Sequence, residues 1–488
     1  MKRQGRKNLE KPLDRRTFVS AAAASAALLL VSPYEKALAA QSGTPGSLTG
    51  YLTSARAKHA PMDPMQWKLA SAASAIGDTV VVDAGQRYQK MLGFGAAFTD
   101  ASCFLFNSMN ADARQKLYAD LFSPQQMNLN VCRTCIGASD YSVSVFNYDD
   151  VPGDTSLQHF SVAHDDAYIL PMLREARALN PDLFLLATPW SPPGWMKTYG
   201  SMLGGWMSAK YLEPYAQYLY KFITAYAQAG VKINALSSQN EVETDQEGRM
   251  PACIWTPEME QDFVRDHLGP LLRKNHSDTQ IWLLDHNYNL WKRVKWQLDD
   301  PQLAQYVSAI AWHGYVGTPD MMTRLHDVDA KLPFYWTEGG PDITDPNYAR
   351  NWTAWGETFT NVIRNWCGAV IGWNLILDDH GRPNIGPFPC GGLVTLRPDG
   401  SILQSGQYWA MGQFSRHIRR GAVRIASHSD ASEMSHVAFS NPDGSGVLVL
   451  TNAGEERLIK LQFGAQVAEA TVARDAIATL VWERTGVS

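Results

Sequence analysis

Between about residue 90 and residue 377 the apolar positions fall into eight short runs rich in β-branched and aromatic side chains, separated by longer segments of helical period. The runs are Met91 to Ala97, Leu129 to Gly137, Leu183 to Trp190, Ile233 to Glu241, Gln280 to His286, Val307 to Tyr315, Pro333 to Glu338 and Ala369 to Leu377. Continuous apolar runs suit strands covered on both faces, and their alternation with helices builds a parallel sheet. Between the third and fourth runs, Tyr215, Leu219, Phe222, Ile223 and Tyr226 share one helical face, and Gly230 then stops the helix. Eight strand-helix units in about 290 residues predict a closed (β/α)8 TIM barrel, with a doubly wound open sheet as the alternative.

After residue 392 the texture changes to short strand-like runs such as Gly446 to Thr451 and Ala476 to Trp482, separated by turn signals such as Asn441-Pro-Asp-Gly-Ser445. This region predicts a small β-sandwich, and the β-rich stretch Thr79 to Ala84 offers it a strand from the N-terminal side. The expected organisation is an N-terminal segment over 40–89 that contributes to the sandwich, the barrel over 90–392 and the sandwich over 393–488.

The first 39 residues stand apart. A basic start (Lys2, Arg3, Arg6, Lys7, Lys11, Arg15, Arg16) precedes an apolar run from Phe18 to Val31, and Ala37-Leu38-Ala39 offers a small-residue cleavage site. Fourteen residues reach about 21 Å as a helix, short of a hydrocarbon core of about 30 Å. With Asp14-Arg-Arg-Thr-Phe-Val19 ahead of it, the segment reads as a twin-arginine export signal, so the expected location is the periplasm or the medium.

The chain has 488 residues, 45% hydrophobic and 19% charged, enough for a large core. Its net charge is -5, and loss of residues 1–39 leaves 35 basic against 45 acidic residues. An acidic chain supplies no field for a phosphate backbone, so nucleic acid is not an expected partner, nor is stable membrane insertion. Six cysteines are too few for a disulfide framework, and Cys132-Arg-Thr-Cys135 lies in an apolar run with no second such pair, so buried thiols are expected. No HExxH helix, glycine-rich phosphate loop or G-x-S-x-G elbow occurs, and no metal or cofactor is expected.

In a (β/α)8 barrel the reactive groups gather where the strands' carboxyl ends open into loops. The polar and aromatic residues ending the runs are Asp100, Arg133, Trp190, Asn240 with Glu241, His313 with Tyr315, Glu338, and Trp373 with Asn374. Glu241 and Glu338 each terminate an apolar run and lie 97 residues apart, which places them on the fourth and seventh strands across the barrel mouth. Glycosidic bond hydrolysis needs such a pair, one carboxylic acid for the leaving oxygen and one carboxylate for the anomeric carbon. The alternative is a pair of carboxylates satisfied by neighbouring arginine or amide groups. Trp190, Tyr315 and Trp373 sit where aromatic platforms for the C–H faces of a sugar belong.

Five segments together carry a resemblance. Gly93-Phe-Gly-Ala-Ala-Phe-Thr-Asp100, Ala187-Thr-Pro-Trp-Ser-Pro-Pro-Gly-Trp-Met-Lys-Thr198, Gln239-Asn-Glu241, Trp336-Thr-Glu338 and Gly372-Trp-Asn374 resemble glycoside hydrolase family 30, in particular its glucosylceramidase-like branch. The resemblance implies a retaining β-glycosidase with Glu241 as acid/base and Glu338 as nucleophile. It further implies that Asp100, Trp190, Asn240, Trp373 and Asn384 bind the sugar, while Arg133, Tyr315 and His313 support the catalytic pair. In that branch Glu-Asn-Glu-Pro is usual where this chain has Gln239-Asn240-Glu241-Val242, and His313-Gly314-Tyr315 lacks an intervening Trp. The expected substrate is a β-glucoside, either a glycolipid or a β-glucan. Glucosylceramide is the leading expectation, and an extracellular β-1,6-glucanase, β-glucosidase or β-xylosidase is the alternative. A carbohydrate-binding protein without catalysis is the reading outside enzymes. Retention predicts carboxyl groups about 5 to 5.5 Å apart.

Overall fold

A computed structural model describes residues 45–70, 77–329 and 331–484. The segment expected to direct export lies outside the described residues. Eight parallel strands close into a barrel: Gly93–Phe98, Val131–Ile136, Phe184–Pro189, Ala235–Ser237, Gln280–Asn287, Val307–His313, Phe334–Glu338 and Cys367–Asn374, the last pairing with the first. All eight occur where the apolar runs predict them. The open-sheet alternative is excluded by the closing ladder from Ala369–Gly93 to Asn374–Ala97.

Side-chain size fills the barrel. Trp282, fully buried, occupies space that Ala235, Ala309, Ala311 and Ala369 leave on strands around the ring, and Val131, Leu186 and Ile371 complete the same cluster. A second cluster nearer the carboxyl ends contains Ala97, Cys135, Tyr141, Trp190, Met250 and Trp373, and forms the floor beneath the loops. Outside, the helix Leu212–Gln228 buries Tyr215, Leu219, Phe222, Ile223 and Tyr226 as its periodicity predicts, and Gly230 follows it at φ 81°.

The fourth strand is shorter than its apolar run. It ends at Ser237, and the chain then leaves the ladder while Asn240 N still donates to Pro189 O (2.8 Å) and Glu241 N to Asp285 O (3.0 Å). Glu241 itself sits at φ 52°, and Leu284 and Asp285 on the neighbouring strand are also left-handed, at 78° and 49°. Three non-glycine residues in this sparsely allowed region are held there by the surrounding bonds, and such strain gathers at functional sites.

Ten strands form the second sheet, in the order Ala60–Pro61, Pro45–Thr53, Ala476–Arg484, Gly446–Asn452, Met434–Ser440, Val423–His428, Asp78–Lys90, Arg457–Phe463, Gln466–Val472 and Lys68–Leu69. It curls round a core of Val80, Val82, Leu448, Leu450, Ile459, Leu461 and Leu480. The stretch expected at Thr79 to Ala84 is part of a thirteen-residue strand between Val423–His428 and Arg457–Phe463. The sandwich therefore draws on both ends of the chain.

Among the described residues no helix is long and apolar enough to cross a membrane. The thiols are unpaired, five of them buried and Cys390 half-buried. Cys132 and Cys135 enter different apolar clusters, which accounts for their spacing without a metal.

Candidate active site

A cleft of about 600 Å³ opens over the carboxyl ends of the barrel strands. Glu241, Glu338, Asn240, Trp190, Trp373 and Tyr315 all line it. Beneath them Arg133, fully buried on the second strand, sends Nη1 to Glu338 Oε2. Its Nη2 donates to Asn240 Oδ1 (2.7 Å) and to Asp285 Oδ2 (2.8 Å), and its Nε to Thr188 Oγ1 (3.2 Å). The second Glu338 oxygen accepts from the Tyr315 hydroxyl at 3.0 Å. Glu338 thus takes two hydrogen bonds that favour its ionised form.

Glu241 is held differently. Its Oε2 accepts from Gln246 Nε2 at 2.8 Å, while Oε1 lies 3.3 Å from His313 Nδ1 and 3.7 Å from His286 Nδ1. His313 Nε2 lies 3.0 Å from Asp285 Oδ1, which also accepts from Thr337 Oγ1, and Asp285 Oδ2 accepts further bonds from Ser237 and Thr188. Burial opposes the charge of Asp285, but Arg133 and His313 outweigh it and hold this carboxyl well below the usual range. Burial likewise opposes charge on His313, yet Glu338, Asp285 and Glu241 push its pKa up to about 9. For Glu241, burial is outweighed by the His313 hydrogen bond and by the charges of His286, His313 and Arg133, and its pKa is lowered. For Glu338, burial exceeds the pull of His313 and Arg133, and its pKa is raised. Both carboxylates flank one imidazole ring, Glu338 Oε2 lying 4.0 Å from His313 Nε2.

Trp190 and Trp373 stack on each other, centroids 5.0 Å apart at 18°, and the Arg133 guanidinium lies 4.6 Å from the Trp190 centroid. The pair forms a rigid aromatic wall. Lys197, from the segment after the third strand, is buried and donates to Ser191 Oγ, Met202 O and Ala252 O, tying that segment to the loop behind Glu241. Burial brings its pKa down to about 8.

Two residues implied to bind the sugar stand elsewhere. Asp100 is buried in the first turn of the helix Asp100–Ser108, where Oδ1 accepts from the Tyr168 hydroxyl (2.8 Å) and Oδ2 from Val143 N (2.7 Å). It does not line the cleft, because the chain turns into the helix immediately after Phe98 and points the carboxylate inward. Asn384 is also absent from the cleft lining; its Nδ2 donates to Phe388 O (2.7 Å) and its Oδ1 accepts from Gly386 N (2.6 Å), so both amide atoms brace their own loop.

The carboxylate found in the cleft beside the pair is Asp140, which the strand-end reading missed because it lies four residues beyond Ile136 in a loop. It is 4% exposed and its Oδ1 has no hydrogen-bond partner. Burial, reinforced by the charges of Glu338 and Glu241, raises its pKa well above the usual range. Asp285, His286 and Asn287 were missed as well, although this polar triplet ends the fifth apolar run as Glu338 ends the seventh.

Residues 91–418 match the Glycosyl hydrolase family 30 TIM-barrel domain, and residues 421–480 match the Glycosyl hydrolase family 30 beta sandwich domain. An endo-1,6-beta-D-glucanase of Neurospora crassa is 31% identical over 462 residues, covering 90% of this chain and 93% of that protein. The lysosomal acid glucosylceramidase of Mus musculus is 29% identical over 395 residues, covering 76% of each. A solved endo-β1,6-glucanase superposes with a TM-score of 0.83 at 27% identity, covering 90% of this chain and 100% of that one.

Proposed function

The chain belongs to glycosyl hydrolase family 30, and from that premise we propose that it is an exported retaining β-1,6-glucanase. It is a glycoside hydrolase acting on β-glucosidic or β-xylosidic bonds; the choice of β-1,6-glucan is the finer reading. The observation that carries it is the likeness to the Neurospora crassa endo-1,6-glucanase and to the solved endo-β1,6-glucanase, each of which covers 90% of this chain and so takes in barrel and sandwich together. The glucosylceramide expectation accordingly gives way to the polysaccharide. The lining supports the same choice: Thr244, Gln246, Asn287 and Asn289 alternate with Leu290, Tyr315 and Val316, offering hydrogen bonds and flat apolar contacts to a pyranose chain. Among the described residues no lysine or arginine lines the cleft, so a uronic acid side group finds no counter-charge there and a neutral glycan fits best.

Glu338 attacks the anomeric carbon while Glu241 protonates the leaving oxygen, forming a glycosyl ester on Glu338; water then attacks that carbon as Glu241 takes back a proton. Arg133 and Tyr315 orient the nucleophile. His313 holds a proton against Glu241 Oε1 in the free cleft, and displacement of water by substrate favours its transfer to Glu241, since burial of the pair disfavours separated charge. Once Glu338 is esterified its negative charge is gone, and Glu241 acts more readily as a base. Asn240 accepts from Arg133 through Oδ1, leaving Nδ2 for a sugar hydroxyl, and Asp140 Oδ1 offers a second polar contact.

Equal amounts of the purified chain are to be offered soluble β-1,6-glucan, dispersed glucosylceramide and β-1,4-xylan. Oligosaccharides released from the glucan, with little product from the others, are expected. Glucose from the lipid with an untouched glucan returns the assignment to the glucosylceramidase branch. Glu338→Gln is expected to cut turnover by at least about 10⁴-fold while substrate still binds; activity near wild type removes Glu338 as nucleophile.

A further inference from the structure

One group in the cleft has no part in the double displacement. His286 ends the fifth barrel strand with its side chain nine-tenths buried, and its Nδ1 has no hydrogen-bond partner. That nitrogen faces Glu241 Oε1 at 3.7 Å, and the same oxygen meets His313 Nδ1 at 3.3 Å. The three donor atoms lie within 4.8 Å of one another. Gln246 fixes the other carboxylate oxygen, so Oε1 is the one presented to both imidazoles. Behind His313, Asp285 Oδ1 lies 3.0 Å from Nε2 and keeps a proton there, so that once the proton facing Glu241 leaves, the Nδ1 lone pair points toward the carboxylate oxygen. A carboxylate behind an imidazole is the arrangement that orients histidine toward a metal.

We infer that Glu241, His286 and His313 form a latent site for a first-row divalent transition cation such as zinc, and that its occupancy silences the enzyme. Two imidazoles and one carboxylate suit zinc, cobalt or copper, and suit magnesium or calcium poorly. A tetrahedron built on bonds of about 2.0–2.1 Å sets its donors roughly 3.4 Å apart, so closing the site takes side-chain movement of about an ångström. The fourth position faces the cleft, where water completes the set. Binding engages the oxygen that protonates the leaving group, and the proton shared by His313 and Glu241 leaves to solvent. Because the cation stands where the glycosidic oxygen belongs, it competes with substrate rather than assisting it.

Cobalt(II) is the probe, since a low-symmetry nitrogen and oxygen site absorbs visible light far more strongly than hexaaqua cobalt. The mature chain is titrated with cobalt(II), then with zinc(II), and the same titrations are run on His286→Asn, Glu241→Gln and His380→Ala. His380 is an exposed histidine beside Asp379 and does not line the cleft. One equivalent bound with an intensified visible band, displaced by zinc, is expected. Affinity is expected to fall at least about 100-fold in His286→Asn and Glu241→Gln, since removing a ligand costs no less than removing a group behind one, and to be unchanged in His380→Ala. An unaltered spectrum and affinity in His286→Asn overturns the site; should that variant fail to fold by circular dichroism, Glu241→Gln decides in the same way. Zinc is expected to raise the apparent KM of the wild type with kcat unchanged and chelator to reverse it, whereas bound zinc without inhibition overturns the silencing role. The spectroscopic result holds whichever glycan is cleaved, so failure of the glucanase reading leaves this test intact.

Discussion

Asp100 and Asp140 differ in what their carboxyl groups already hold. Asp100 accepts from Val143 N and Tyr168, whereas Asp140 keeps one buried oxygen unpartnered at the cleft. Asp100→Ala is therefore expected to cost about 1–3 kcal/mol of stability by orphaning two donors, with KM nearly intact. Asp140→Ala should leave the unfolding midpoint close to wild type and lower kcat/KM by about 10- to 100-fold, the size of one lost sugar contact. Denaturant melts and kinetics on each variant check both, and the reverse pattern would put Asp100 back at the sugar. Tyr315 offers a pH test. Its hydroxyl donates to Glu338 and stabilises the carboxylate, so Tyr315→Phe raises the Glu338 pKa further. Activity is expected to be lost as pH falls through that pKa, and the acid limb of the kcat/KM profile to move to higher pH in the variant; a limb that stays put means Tyr315 does not tune Glu338.

At the scale of elements, the barrel strands were legible because each is covered on both faces and reads as an unbroken apolar run. The Gly93-Phe-Gly95 segment also has a physical reading. A Cβ on Gly95 would stand 1.9 Å from Val131 O on the adjoining strand, so only glycine lets the first two strands approach. Gly95→Ala is expected to destabilise the chain by at least about 3 kcal/mol or to prevent soluble expression, read from the denaturant midpoint. The end of the fourth strand was less legible. Ile233 to Glu241 reads as one strand, but the ladder stops at Ser237 and Glu241 turns left-handed so that its carboxylate faces His313 and His286. That departure is imposed by bonds from Asn240 to the third strand and from Glu241 to the fifth, partners no local pattern contains. The N-terminal strand Pro45–Thr53 was expected only as part of a contributing segment, since its pairing with Ala476–Arg484 joins opposite ends of the chain.

For the whole molecule, the junction of barrel and sandwich sets an acid limit. His59 and His417 both stack on Tyr51, with centroids 4.8 and 4.5 Å away. Burial, with Arg416 nearby, lowers His59 to about 4, and burial with His59, Arg419 and Arg416 lowers His417 to about 3. His436 is lowered to about 4 by burial and Arg364. Unfolded, these groups take protons near pH 6.5, so between pH 6.5 and 4 the unfolded chain binds more protons and their contribution to stability falls with the pH. Melting temperature is expected to drop across that window, and less steeply in His417→Phe, which keeps the stack without the proton site; an unchanged slope removes His417 from the account. The linear order of apolar runs and turn signals was enough to determine a closed barrel with an appended sandwich, and the strand-end pattern was enough to bring Glu241 and Glu338 to the barrel mouth, because burial period and strand termination are local properties written residue by residue. Which carboxylate reaches the cleft, Asp140 rather than Asp100, and how Asp285, His286 and His313 surround Glu241, was decided only when distant strands closed into a ring: hydrogen bonds and desolvation depend on neighbours in space, and those neighbours lie tens to hundreds of residues away along the chain.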